Sequence, residues 1–212
     1  WFRKRWRKVE NKIICIAREF GSGGHEIALR TGSRLGIRVY EKDLFHLACR
    51  YGELSEKMME SADERATNPF LYRTVHEGNY HVTRGLPTSE VLFELQSHEI
   101  RQIAKGESCI FVGRCADYIL RENPRCVNVF ITADDEDRCR RICARQGCTP
   151  AEAQDLMERV DARRASYYNY YSSRTWGVAS TYHLCVNSSV LGDEGTAGFI
   201  LEFAARKLHE KF

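Results

Sequence analysis

No stretch of this 212-residue chain approaches the ~18 consecutive apolar residues of a membrane span, and no short basic start is followed by an apolar run of the secretory kind. No two cysteines form a C-x-x-C pair, although there are nine, an odd number spread from Cys15 to Cys185. Several fall in strands expected to be buried, and that pattern suits free thiols in a reducing cytoplasm. Cys139 and Cys143 share a helix face, but Cys148 lies beyond Gly147 and no histidine is near enough to complete a zinc set. The seven histidines show no metal-ligand spacing, so no resident protein-held metal is expected. A nucleophile elbow and a G-x-G-x-x-G fingerprint are also missing, which removes the hydrolase and dinucleotide-binding readings.

What is present begins with charge. Five of the first eight residues are Lys or Arg, and the remainder holds 27 basic against 29 acidic residues. The net charge of +3 therefore belongs to an arm over residues 1–11 and not to the body, so DNA is not an expected partner. The arm is read as a loosely packed terminus, and RNA or membrane contact through it is not expected. Oligomers are left open.

Five near-continuous apolar runs read as strands covered on both faces: Ile13–Ala17, Ile37–Tyr40, Cys109–Gly113, Val127–Thr132 and His183–Asn187. Helical patterns lie between them at Glu26–Leu35, Asp43–Tyr51, Asp134–Gln146 and Glu194–Leu208. Thr149-Pro150-Ala151-Glu152 signals a further helix start. Strands alternating with helices predict an α/β fold of three layers, α/β/α, around a five-stranded parallel sheet. Residues 53–106 are expected to form a helical substrate-binding insert and residues 138–177 a closing lid, both above the C-terminal strand edge.

The first strand runs into Arg18-Glu-Phe-Gly-Ser-Gly-Gly-His-Glu26 and then a helix, the order that builds a phosphate cradle from backbone amides and a helix dipole. The usual P-loop reads G-x-x-x-x-G-K-[ST]. Aligned on Gly23, this loop has Arg18 in place of the first glycine, Gly24 in place of the lysine and His25 in place of the hydroxyl. Gly21, Ser22, Gly23, Gly24, His25 and Glu26 are the candidate nucleotide-binding residues. Arg18 is the nearest substitute for the lost lysine charge. A second strand delivers Arg114 to the same edge with Asp117 one turn later, where a guanidinium can grip a phosphate or base edge. Glu41, Lys42 and Asp43 follow the strand at Ile37–Tyr40 and point toward the ligand edge. Residues 138–164 hold seven arginines, and a mobile arginine-bearing helix is what phosphoryl transfer needs. Arg159 and Arg163 share one helix face.

The order and spacing of these segments resemble the cytidylate kinase-like family, P-loop relatives of the nucleoside monophosphate kinases. The residues that carry the likeness are Arg18–Ala28, Val39–Leu44, Val112–Leu120, Phe130–Arg138, Asp161–Tyr168 and Tyr182–Ser189. The resemblance implies ATP and Mg²⁺ as cofactors and transfer of a phosphoryl group to CMP, dCMP or another small phosphorylated acceptor. It further implies that Arg114 and Asp117 contact the acceptor and that Arg159, Asp161 and Arg163 or Arg164 are lid and acceptor-clamping residues. With Asp43 as a further candidate acceptor contact, the candidate catalytic charges are Arg18, Arg159, Arg163 and Arg164. A nucleotide-binding regulatory module without turnover is the alternative.

Overall fold

The computed structural model describes residues 11–52, 54–60, 63 and 88–209. The basic arm and most of the expected insert, including its Asn68-Pro69 and Gly85-Leu86-Pro87 interruptions, lie outside the described residues.

Five strands form one fully parallel sheet: β1 (Ile13–Arg18), β2 (Arg38–Tyr40), β3 (Cys109–Val112), β4 (Cys126–Thr132) and β5 (Leu184–Asn187), in the order β2-β3-β1-β4-β5. β1 is central, with Ile13 level with Cys109 on one side and Cys126 on the other. The strand runs are continuous in sequence because both faces are covered, and period-two alternation divides them. Ile14, Ile16, Ile110, Val112, Val127, Val129 and Ile131 turn to one cluster; Ile13, Cys15, Cys109, Phe111 and Cys126 turn to the other.

Two helices, α1 (Gly24–Leu35) and the last helix (Ser188–Leu208), cover the first face through Ile27, Ala28, Ala197, Ile200 and Ala204. α2 (Asp43–Tyr51), a short α3 (Glu56–Met59), α4 (Thr88–Gly106) and α5 (Ala116–Ile119) lie on the second side. There Leu44, Ile100 and Ala104 fill the core, and Phe45 and Ala48 meet Val91, Leu92 and Leu95 in a smaller cluster. α6 (Asp135–Gln146) stops at Gly147, which adopts the left-handed conformation that glycine accepts without a Cβ penalty. α7 (Pro150–Ser172) starts with a full capping box between Thr149 and Glu152. Its first half packs Ala153 and Met157 on Ile142 of α6, and its second half buries Tyr167 and Tyr168 in the main core. The last helix, α8, starts six residues earlier than the apolar periodicity predicts, because Asn187 caps Ser189 and a bend at Gly192 (φ 64°, ψ 176°) joins two helical pieces.

Among the described residues, no helix is long and apolar enough to cross a membrane, and no cluster of three metal-ligating side chains occurs.

Candidate active site

The loop after β1 is held from three directions. Glu19 accepts hydrogen bonds from the Thr132 hydroxyl and the Ala133 amide, fixing it to the end of β4. The Phe20 amide donates to the Asp161 carboxylate at 2.8 Å, and Arg138 Nε donates to the Phe20 carbonyl at 2.8 Å. The Ser188 hydroxyl donates to the Ser22 carbonyl at 2.7 Å. Gly21 (φ 82°) and Gly23 (φ 77°) take left-handed conformations. α6 lies so close to Gly21 that a Cβ there would sit 2.9 Å from the Arg138 carbonyl oxygen. The loop then opens into α1, whose first-turn amides have no intrahelical acceptors and whose first residues, Gly24, His25 and Glu26, line a cleft.

The exchange of residues at positions 18 and 24 has a steric cause. A Cβ on Gly24 would lie 2.6 Å from Cβ and 2.8 Å from Cγ of Arg18. Real side chains do not approach so closely, so only one of the two positions can carry one. The usual P-loop places glycine first and lysine later; this chain places arginine first and glycine later. In this chain the side chain therefore stands at position 18 and the room for it is left by Gly24. Gly24→Ala should therefore destabilise the fold by about 1–3 kcal/mol through overpacking. Arg18→Gly should largely remove that penalty, so denaturant unfolding of both single variants and the double variant should give a coupling energy of about 1 kcal/mol or more.

Arg18 is buried, and its Nη2 pairs with Glu41 at 2.9 Å. The other Glu41 oxygen meets His25 Nδ1 at 2.5 Å. Arg164 donates to the Arg18 carbonyl at 3.1 Å and, with Arg145, lies over the Phe20 ring. Arg141 reaches the Gly21 carbonyl and pairs with Asp193 at 2.9 Å. These residues line a cleft of about 930 Å³ with Gly21, Gly23, Gly24, His25, Glu26, Lys42 and Asp43. Asp43 itself is exposed and paired with Arg38 at 2.9 Å. Ser22 does not line the cleft: its hydroxyl is buried and donates to the Glu19 carbonyl.

A second pocket lies beside the first and shares Arg18 and Arg164 with it. It is lined by Gly113, Arg114, Asp117, Tyr167, Tyr168 and Trp176 and is closed to about 20 Å³. Arg114, in a left-handed conformation (φ 58°), pairs with Asp63 at 2.8 Å, and Asp63 also accepts from Gln96 at 3.1 Å. Tyr168 donates to Asp117 at 2.6 Å. Burial pushes the Asp117 carboxyl above its ordinary value, opposed by the Tyr168 hydroxyl and the Arg174 charge. A raised carboxyl binds its proton more tightly folded than unfolded, so stability falls as pH rises from the ordinary carboxylate value of about 3.9 through the folded one. Asp117→Asn should therefore gain in melting temperature over the parent at pH 7, and the gain should vanish below pH ~3.

Not every expected residue comes to this place. Arg159 and Arg163 are exposed, line neither pocket, and Arg159 bonds the Asp155 carbonyl of its own helix. The packing of Ala153, Met157, Tyr167 and Tyr168 rotates α7 so that Arg164 faces the loop and its neighbour faces solvent. Asp161 is engaged with Arg138 and the Phe20 amide, bracing the loop, and lines neither pocket. Burial raises its carboxyl, opposed by the Phe20 amide and Arg138. Arg138, Arg141 and Arg145 belong to the arginine-rich stretch 138–164 without being marked individually, and Asp63 is missed by the sequence pattern altogether. The signal for Glu41 was its position directly after β2; nothing local marks Asp63.

Parallel strand order, loop and paired pockets define a protein of the P-loop kinase fold. The chain belongs to the cytidylate kinase-like family, whose model matches residues 13–190. That membership supports nucleotide-dependent phosphoryl transfer in general. Among solved structures, an uncharacterized protein from Eubacterium ventriosum is similar at 26% identity and a TM-score of 0.69, covering 92% of this chain and 98% of that one. A shikimate kinase from Bacteroides thetaiotaomicron (14% identity, TM-score 0.52, 93% and 98% covered) shares the fold. A gluconokinase from Sinorhizobium meliloti (11%, 0.52, 94% and 94%) does so too. No curated protein sequence matches.

Proposed function

We propose that this protein transfers the γ-phosphoryl group of ATP to a small phosphorylated acceptor, with a nucleoside monophosphate of the CMP or dCMP type as the first candidate. The observation that carries this reading is that Arg18 and Arg164 belong to both pockets, so two guanidiniums stand where donor and acceptor would meet. Phosphoryl transfer spreads negative charge over the moving group and is accelerated chiefly by cations fixed around it.

The loop residues fit a nucleotide's phosphates. Gly21, Gly23 and Gly24 bring backbone amides close, and Arg18, Arg141, Arg145 and Arg164 surround them. Two of these guanidiniums are held by carboxylates, Arg18 by Glu41 and Arg141 by Asp193. A phosphate tail would replace those carboxylates as partner. Mg²⁺ needs only one or two protein carboxylates beside substrate phosphates, and Glu41 or Asp193 would serve; the ion would neutralise charge between the outer phosphates. In the second pocket, Arg114 and the Asp117–Tyr168 pair would read the acceptor. Its present volume admits little more than a water molecule, so acceptor entry requires the wall from Arg164 to Trp176 to move outward, as a lid does. A phosphate acceptor is already ionised and requires no general base.

The test is ADP release from Mg-ATP against nucleoside monophosphates and other small phosphorylated acceptors, with Arg114→Ala in parallel. Acceptor-dependent turnover that collapses in the variant is expected. No turnover with any acceptor, while ATP still raises the melting temperature, would instead support a nucleotide-binding regulatory module.

A further inference from the structure

At the opposite end of β4 from the loop lies a cleft of about 550 Å³ that shares no residue with the loop cleft. Its walls carry Arg121, Arg174, Lys207 and His183, with Asn123, Ser180 and Thr181 between them. The two clefts differ in charge. Five carboxylates face the basic groups around the loop, whereas none lines this one among the described residues. Two acids interact with its cations from outside the lining: Glu122 is exposed and 3.6 Å from Arg121, and Asp117 is buried, bonded to Tyr168 and within reach of the Arg174 charge.

The cations are also positioned. Arg121 lies 4.4 Å from the Tyr118 ring centroid and donates to the Tyr118 carbonyl; Arg174 lies over the same ring at 5.5 Å. Lys207 donates to the Cys126 carbonyl at 2.9 Å. His183 Nδ1 accepts from the Asn128 amide at 2.9 Å, which places the ring proton on Nε2 as a donor. Burial and the Lys207 charge hold the imidazole below its ordinary value, so it stays neutral while donating. Three like charges gathered on a concave wall repel one another, and an anion with several acceptor oxygens relieves that repulsion. The volume lies within the range of small-molecule sites.

We propose that this cleft is a second anion site, built for the phosphate or diphosphate group of a small molecule and separate from the loop. Arg174 and Tyr182 connect it to the Asp117–Tyr168 pair, so its occupancy bears on the acceptor pocket. The proposal does not depend on catalysis at the loop.

Amide NMR spectra of the full chain titrated with inorganic pyrophosphate test it. Saturable shifts are expected at Ser180–His183. Arg121→Gln and Lys207→Gln should each weaken that binding by about ten-fold with spectral dispersion unchanged. Gly21–Gly24 report the loop separately, and Arg18→Ala should alter only their response. The proposal fails if Ser180–His183 show no saturable shift, if neither substitution weakens it, or if only an oligonucleotide produces it.

Discussion

An Arg18→Ala variant should still bind nucleotide but transfer phosphoryl groups about 10³-fold more slowly, the scale of removing one cation from such a transition state. Arg18 is the side chain for which Gly24 leaves room, and its guanidinium stands at the junction of the two pockets. Arg18→Lys should retain part of the rate, because charge survives while the planar fork does not. The sharper arm is Arg18→Gly combined with Gly24→Lys, which restores the usual glycine-then-lysine order. If positions 18 and 24 are alternative carriers of one charge, the double variant should recover activity above Arg18→Ala. Single-turnover kinetics would separate this from binding. An Arg18→Ala enzyme with unchanged kcat would show that Arg18 only supports the loop.

Asp161→Ala should cost about 3 kcal/mol, read as a fall in melting temperature of roughly 6–12 °C. Arg138 is buried, and Asp161 neutralises it while accepting the Phe20 amide. Removing the carboxylate leaves a buried guanidinium and a loop amide short of an acceptor. The figure sits at the low end for a broken buried pair because Asp135, at 3.2 Å, and Glu19, at 3.7 Å, still face Arg138. Asp161→Asn, which keeps an oxygen for Phe20, should cost less. If Asp161 instead contacted the acceptor, both substitutions would raise the acceptor KM at unchanged stability.

Much of the fold was legible because its signals are local. Strands buried on both faces must be apolar throughout, so β1, β3 and β4 are visible as runs. The Thr149–Glu152 box and Gly147 fix the junction of α6 and α7 through contacts within four residues. α2 was legible over its whole length, Asp43–Tyr51. The site was legible only in part. Gly21, Gly23, Gly24, His25 and Glu26 follow from strand, turn and helix in series, and each lines the cleft. Arg114 and Asp117 follow from the end of β3 and share the second pocket.

By itself, the sequence determined that this chain forms a parallel α/β fold with an amide cradle after its first strand, since periodicity and glycine placement are properties of neighbouring residues. Only the tertiary structure decided which charges gather there. Consecutive residues on a helix point about 100° apart, so whether Arg163 or Arg164 meets the loop depends on how Tyr167 and Tyr168 seat α7 in the core. The pairing of Arg114 with Asp63 likewise joins residues 51 positions apart, and chain spacing carries no record of such a distance.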